Sequence, residues 1–207
     1  MRARPTAEVL RAEPMTLEAW ADLDEDEPGE LVDGRLVEEE VPSHLHEVVL
    51  AWLLRVLGSW AEPRRCLVFG SEHKLAVSAT RGRKPDVSMY PPGMRLGARA
   101  SMSRTPPALL IEVISARARD VRRDRLEKVN EYAAFGVRWY WMLDPTARVL
   151  EILELQPNGR YALERSVGEG PVRLPGFEGL EVDLSALWER VDQVLSDDEE
   201  GVESGEG

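Results

Sequence analysis

The sequence predicts an α/β fold in which a central mixed β-sheet is flanked by helices. Three observations lead there. At 207 residues and 43% hydrophobic content, the chain can bury one sizeable core but not two independent ones. Residues 107–143 run as apolar strand, helix, apolar strand, the order of a βαβ unit. Upstream, Val48, Val49, Trp52, Leu53, Val56 and Leu57 recur at helical spacing and form an apolar stripe that needs a sheet face to cover it.

In chain order, residues 1–15 read as an N-terminal extension and 16–195 as one domain, with 196–207 as a disordered acidic tail. Thr16 is placed to cap a short helix, Leu-Glu-Ala-Trp-Ala-Asp-Leu. Glu30-Leu-Val-Asp-Gly-Arg-Leu-Val then reads as a hairpin turning on Asp33-Gly34, since Asp-Gly tolerates the positive φ of a tight turn. Ser43 caps the long amphipathic helix, which extends to about Ala61. Short strands are expected at 66–69, 73–77 and 85–90, with Arg81-Gly-Arg as a turn before the last, and 91–106 as a mobile loop. The βαβ unit follows: strand 107–114, helix 120–135 ended by Gly136, strand 137–143, and a turn at Asp144-Pro145. Strands at 149–155 and 161–166 and a helix at 184–194 complete the domain.

Composition excludes several classes. A single cysteine, Cys66, allows neither an internal disulfide nor a cysteine-rich zinc site, and fits a reducing cytoplasm. The basic start is followed by charged residues rather than an apolar run, so no secretory signal is expected. No stretch has the roughly 18 apolar residues of a spanning helix, so the expectation is a soluble protein without membrane contact. The net charge of −12 and pI near 4.8 argue at first sight against a polyanionic ligand. The charge is uneven, however. Acid gathers near the N-terminus and in the tail, whereas residues 81–148 hold fourteen basic against seven acidic side chains, a local net of +7. That region suits a phosphate-backbone footprint, and equally a solvated basic face.

The informative anomaly is Glu112 inside Ala-Leu-Leu-Ile-Glu-Val-Ile. An ionised carboxylate in a buried strand costs several kcal/mol unless a cation or strong donors compensate it. Alternation sets Leu110, Glu112 and Ile114 on one face, with Leu109, Ile111 and Val113 on the other. Asp86 stands in the short strand Pro-Asp-Val-Ser-Met, so if the two strands are neighbours, two carboxylates meet. Paired carboxylates beside a backbone carbonyl form the oxygen-rich environment that Mg²⁺ prefers, and Mg²⁺ there would hold a phosphate and acidify an attacking water. The alternatives are an ion pair with an arginine, or a Glu112 that reaches water at the sheet end. On the following helix Asp124, Lys128 and Tyr132 are spaced four apart and share a face. Lys128 can then reach the carboxylates and orient water or stabilise charge on a pentacovalent phosphorus. A surface Asp124–Lys128 pair is the bland alternative.

Taken together, Pro85-Asp86, Glu112-Val-Ile, Asp124-x-x-x-Lys128-x-x-x-Tyr132 and Gly136-Val-x-x-Tyr140-Trp141-x-x-Asp144-Pro145 resemble the Uma-two type restriction endonucleases, a branch of the PD-(D/E)XK nuclease superfamily. Glu30-Leu-Val-Asp-Gly-Arg-Leu and the Ser-x-x-His46 helix opening match as well, and the resemblance runs from about Thr16 to Trp188. It implies a restriction-endonuclease-like fold, Mg²⁺ (Mn²⁺ can substitute) at Asp86, Glu112 and the carbonyl of Val113, and metal-dependent hydrolysis of DNA phosphodiesters by Asp86, Glu112 and Lys128. The superfamily's lysine two residues after the glutamate is Ile114 here, and Lys128 stands in for it on the next helix.

Glu38 or Glu39 is a candidate further acidic ligand, set against a solvent-facing strand end. His46 near a helix start is a candidate supporting residue, set against capping or packing. Asp124 and Tyr132 would support Lys128, with Tyr132 buttressing it. Arg117, Arg119, Arg122, Arg123 and Arg125 would contact backbone phosphates. Trp141 is expected in the core rather than as a base-stacking platform. Enzymes of this fold often dimerise to cut two strands, so a homodimer is expected by analogy. The rival is the same fold with a vestigial site, serving as a nucleic-acid-binding or protein-interaction module.

Overall fold

The computed structural model describes residues 13–24, 29–37, 42–114 and 121–203, without the side chains of 121–126 and 197–203. In chain order the elements are α1 (Leu17–Ala21), β1 (Glu30–Val32), β2 (Arg35–Val37), α2 (His44–Ala61), a 3₁₀ turn (Glu62–Arg64), β3 (Leu67–Phe69), β4 (Leu75–Ala76), β5 (Gly82–Arg83) and β6 (Val87–Tyr90). They continue with β7 (Leu109–Val113), α3 (Val121–Phe135), β8 (Trp139–Asp144), β9 (Val149–Leu155), β10 (Tyr161–Val167), β11 (Pro171–Arg173), β12 (Glu181–Asp183) and α4 (Leu184–Glu203).

The main sheet has six strands in the order β10-β9-β8-β7-β6-β3. Only β7 and β8 run parallel, because α3 carries the chain back between them; the other neighbours are antiparallel. The pleat sorts β7 as the alternation requires. Leu109, Ile111 and Val113 join Val49, Leu53 and Leu57 of α2 and Leu187 and Val191 of α4 in the larger core. Leu110 faces the other way, where Tyr140 and Met142 of β8 meet Tyr132 of α3 and Leu75 and Val77. Trp141 is fully buried in the larger core.

A second sheet, in the order β2-β1-β5-β4, is built on the expected hairpin. Asp33 and Gly34 both take positive φ, 50° and 75°, as the tight turn demands. Thr16 accepts the amide of Ala19 and caps α1, which lays Trp20 over the small sheet together with Leu17, Leu31, Leu36 and Ala76.

Several local expectations need correcting. Arg81-Gly-Arg is not a simple turn: Gly82 and Arg83 form β5, and Gly82 lies against the Trp20 ring, where only a residue without a side chain fits. Asp86 stands just before β6 rather than within it. Residues 91–106 form no strand, yet the loop is tied down where Ser103 bridges Leu75, with Ala76 N donating to Ser103 O and Ser103 N to Lys74 O, each at 2.9 Å. The last helix continues past Val194 to Glu203. β11 and β12 are too short to show a period. Among the described residues no helix is long and apolar enough to cross a membrane.

Candidate active site

The β6–β7 ladder pairs Val87 with Ile111, so Asp86 and Glu112 come opposite one another one step beyond it. Asp86 is held from two sides. Its Oδ2 accepts the amide of Val113 at 2.7 Å, and its Oδ1 lies 3.1 Å from His46 Nε2. His46 comes from the first turn of α2, whose cap Ser43 accepts the His46 amide at 3.2 Å. The histidine therefore both packs at a capped helix start and faces the site.

Glu112 points to the α3 side of the sheet. Lys128 Nζ donates to its two oxygens at 3.2 and 3.3 Å, and the Tyr132 hydroxyl donates to Oε1 at 2.7 Å. The four-residue spacing on α3 thus brings both side chains to one carboxylate. Tyr132 bonds the carboxylate itself, so its support of Lys128 runs through Glu112 rather than through a direct bond.

A third carboxylate arrives from the small sheet. Glu30, the first residue of β1, lies 3.6 Å from Lys128 Nζ. It accepts Arg83 Nη1 at 2.5 Å and the amide of Lys84 at 3.1 Å. The rest of the Arg83 fork donates to Glu131 on α3 at 2.7 and 2.9 Å, and Arg81 pairs with both Asp33 and Glu131.

Charge is uneven across this cluster. Burial, with the neighbouring charges of Asp86 and Glu30, pushes the Glu112 carboxyl up to about 7, although Lys128 and Tyr132 work in the other direction. Burial also acts to raise Glu30, but Lys128 and Arg83 outweigh it and hold its carboxyl below the ordinary value. Burial would lower His46, yet the bond and charge of Asp86 dominate and raise it. Lys128 is likewise raised, as Glu112 and Glu30 prevail over burial.

Among the described residues, no three His, Cys, Asp or Glu side chains converge as a ready-made metal cage. The donor set still fits a hard cation. Mg²⁺ typically binds through one or two carboxylates and keeps several waters. Asp86 and Glu112 with the Val113 carbonyl offer oxygen donors, and the Glu112 carboxyl, raised first by burial and then by the charges of Asp86 and Glu30, is a group whose ionised form a cation would stabilise.

The structure therefore brings together Asp86, Glu112, Val113, Lys128, Tyr132 and His46. Glu38, Glu39, Arg117 and Arg119 lie outside the described residues, as do the side chains of Arg122, Arg123, Asp124 and Arg125. Sequence reasoning missed Glu30, Arg83 and Glu131. Glu30 and Arg83 are charged residues in buried strands, 8% and 5% exposed, but those strands are too short to show a period in the sequence, and Glu131 lies on α3.

The family model described as "Uma2: Putative restriction endonuclease" matches residues 14–186. This chain belongs to the Uma2 family. The chain is similar to the crystal structure of a putative nuclease belonging to DUF820 from Anabaena variabilis ATCC 29413, with a TM-score of 0.70 at 19% identity over 86% of this chain and 99% of that one. Likeness at that identity shows the fold, a mixed sheet flanked by helices of the restriction-endonuclease-like class. The type IIG restriction endonuclease BpuSI aligns with 77% of this chain and 17% of its own, at a TM-score of 0.39 and 14% identity, too low to carry an argument. No curated protein matches the chain.

Proposed function

We propose that this Uma2 protein is a metal-dependent endonuclease that hydrolyses DNA phosphodiester bonds, with Asp86, Glu112 and Lys128 as catalytic residues. The observation that carries the reading is the meeting of Asp86 and Glu112 at the open end of the β6–β7 ladder, with the Lys128 ammonium 3.2 Å from Glu112. Mg²⁺, or Mn²⁺ in its place, would be held by Asp86, Glu112 and the Val113 carbonyl. When bound it supplies charge neutralisation and Lewis acidity at the scissile phosphate. Lys128 then orients the attacking water or donates to the charge that develops on the phosphoryl oxygens. His46 and the Val113 amide fix Asp86, and Tyr132 fixes Glu112. Asp124 and Glu38 are supporting candidates, and Arg117, Arg119, Arg122, Arg123 and Arg125 would line the path of the DNA backbone. Cutting both strands of a duplex calls for two such sites, which a homodimer would provide.

The test is nicking of supercoiled plasmid with Mg²⁺ and with chelator, by the wild type and by Asp86→Asn and Glu112→Gln. Cleavage that needs Mg²⁺ and disappears in both variants is the expected result; cleavage unchanged in either variant would sink the site assignment. One observation favours a second reading, a non-catalytic binding module: both oxygens of Asp86 and both of Glu112 already have partners within the chain. Such a module would retain nucleic acid with or without metal and cut none.

A further inference from the structure

We infer that Glu30, locked in place by Arg83, is a positioning residue for the Lys128 ammonium, so that the small sheet is part of the active site rather than an appendage. The inference rests on the nuclease reading for its consequence in catalysis, but its geometry stands by itself. Lys128 is bracketed by carboxylates from two different sheets, Glu112 on β7 at 3.2 Å and Glu30 on β1 at 3.6 Å. The ammonium keeps a two-oxygen contact with Glu112 at 3.2 and 3.3 Å. Glu30 adds a second, longer-range attraction from β1, so that the ammonium answers to two fixed carboxylates rather than to one.

Glu30 suits this task because its own carboxylate is fixed independently of Lys128. Oε2 accepts Nη1 of Arg83 and Oε1 accepts the Lys84 amide. Arg83 in turn grips Glu131, which lies three residues from Lys128 on the same helix. The small sheet is thus tied to α3 at one point through Arg83 and Glu131, and its Glu30 reaches α3 again at Lys128. A planar guanidinium sets two carboxylates at once in fixed directions, whereas an ammonium on a flexible stem would leave their directions less defined. Buried charges are an inefficient way to join a sheet to a helix, since well-packed apolar side chains do as well or better for stability. Arg83 and Glu30 are both buried. Their arrangement is more economically explained by what they do to the third group, a long flexible side chain that has to be held at one place.

The chain has three lysines, Lys74, Lys84 and Lys128, so lysine-selective ¹³C labelling gives a spectrum simple enough to read each side chain. Glu30→Gln keeps the shape of the side chain and an oxygen for Arg83 or the Lys84 amide, while removing the charge that faces Lys128. In the full-length protein it is expected to move the Lys128 ε-methylene signal and leave that of Lys74 in place. Plasmid nicking should show kcat reduced by about 10- to 100-fold with KM for DNA little changed, as misplacement of a catalytic group predicts. An unmoved Lys128 signal, or a variant that melts earlier but turns over at the wild-type rate, would overturn the inference. Should Glu30→Gln fail to fold, Arg83→Gln, which releases Glu30 from the guanidinium without adding a lysine to the spectrum, is subjected to the same two measurements. If the wild type itself cuts no DNA, the nuclease reading fails, and the lysine spectrum still decides whether Glu30 positions Lys128.

Discussion

The hydroxyl of Tyr132 donates to Oε1 of Glu112 at 2.7 Å, where the tyrosine is fully buried between α3 and β8. A phenol usually seeks a partner when buried, and a strand carboxylate needs donors in order to stay charged. Each group answers the need of the other. The bond also fixes which Glu112 oxygen is turned toward the core.

Removing that hydroxyl should therefore be felt in stability. Tyr132→Phe is expected to destabilise the fold by about 1–3 kcal/mol at pH 8, the cost of leaving a buried charged acceptor short of a donor. Because the bond favours the ionised carboxylate, the deficit should shrink at pH 5. Urea denaturation at the two pH values reads both statements, and an equal loss at each would show that ring packing, not the bond, is what matters.

The raised carboxyl of Glu112 makes a prediction with a definite sign. Its folded value of about 7 lies above the ordinary value of 4.5, so the folded state holds a proton that the unfolded chain has released. Its contribution to stability is complete below about pH 4.5 and is lost as the pH rises through 7. Glu112→Gln, measured with chelator present, should thus be more stable than the wild type at pH 8, on the order of 1–3 kcal/mol, with the gap closing toward pH 4.5. A variant less stable than the wild type at pH 8 would mean that Lys128 and Tyr132 fully compensate the buried charge. The gain would show that Glu112 is retained at a cost to the fold, as expected of a functional group.

Much of this site could be read in the sequence because its residues violate local rules in a periodic setting. Glu112 interrupts an apolar strand long enough to show alternation, and Lys128 and Tyr132 follow at helical spacing, so face and register were both predictable. Glu30 and Arg83 break the same rule, but they sit in strands of three and two residues, too short for a period to show against. Their meeting with Lys128 depends on the long-range pairing of β1 with β5. No local pattern encodes that pairing. Asp86 lies between the two cases: its meeting with Glu112 was expected on the condition that the two strands pair, as they do, whereas its bond to the Val113 amide depends on its standing just outside the ladder.

Gly82 tests how tightly the small sheet is seated. A methyl added there would fall within the ring of Trp20, whose indole nitrogen is itself tied to the carbonyl of Gly29 at 2.9 Å. Gly82→Ala should destabilise the protein by about 1–3 kcal/mol through overpacking, with more if the backbone cannot yield. The affected strand carries Arg83, so Mg²⁺-dependent nicking should fall as well. Differential scanning calorimetry and the plasmid assay on the same sample would reveal whether the two losses travel together. A destabilised variant with full activity would uncouple the packing of β5 from the site.

His46 and Ser43 separate two roles that share one helix turn. The ring of His46 reaches Asp86, whereas the Ser43 hydroxyl only accepts the His46 amide and caps α2. Groups that orient a metal-binding side chain typically change metal affinity by 10- to 100-fold when removed, so His46→Ala should raise the Kd for Mg²⁺ by about that factor. Ser43→Ala loses only a helix cap, worth about 1 kcal/mol, and should bind Mg²⁺ as the wild type does. Isothermal calorimetry of the three proteins, with stability from denaturant melts alongside, decides the matter. If His46→Ala binds as tightly as the wild type, the histidine is a packing residue at a helix start, and Asp86 owes its orientation to the Val113 amide.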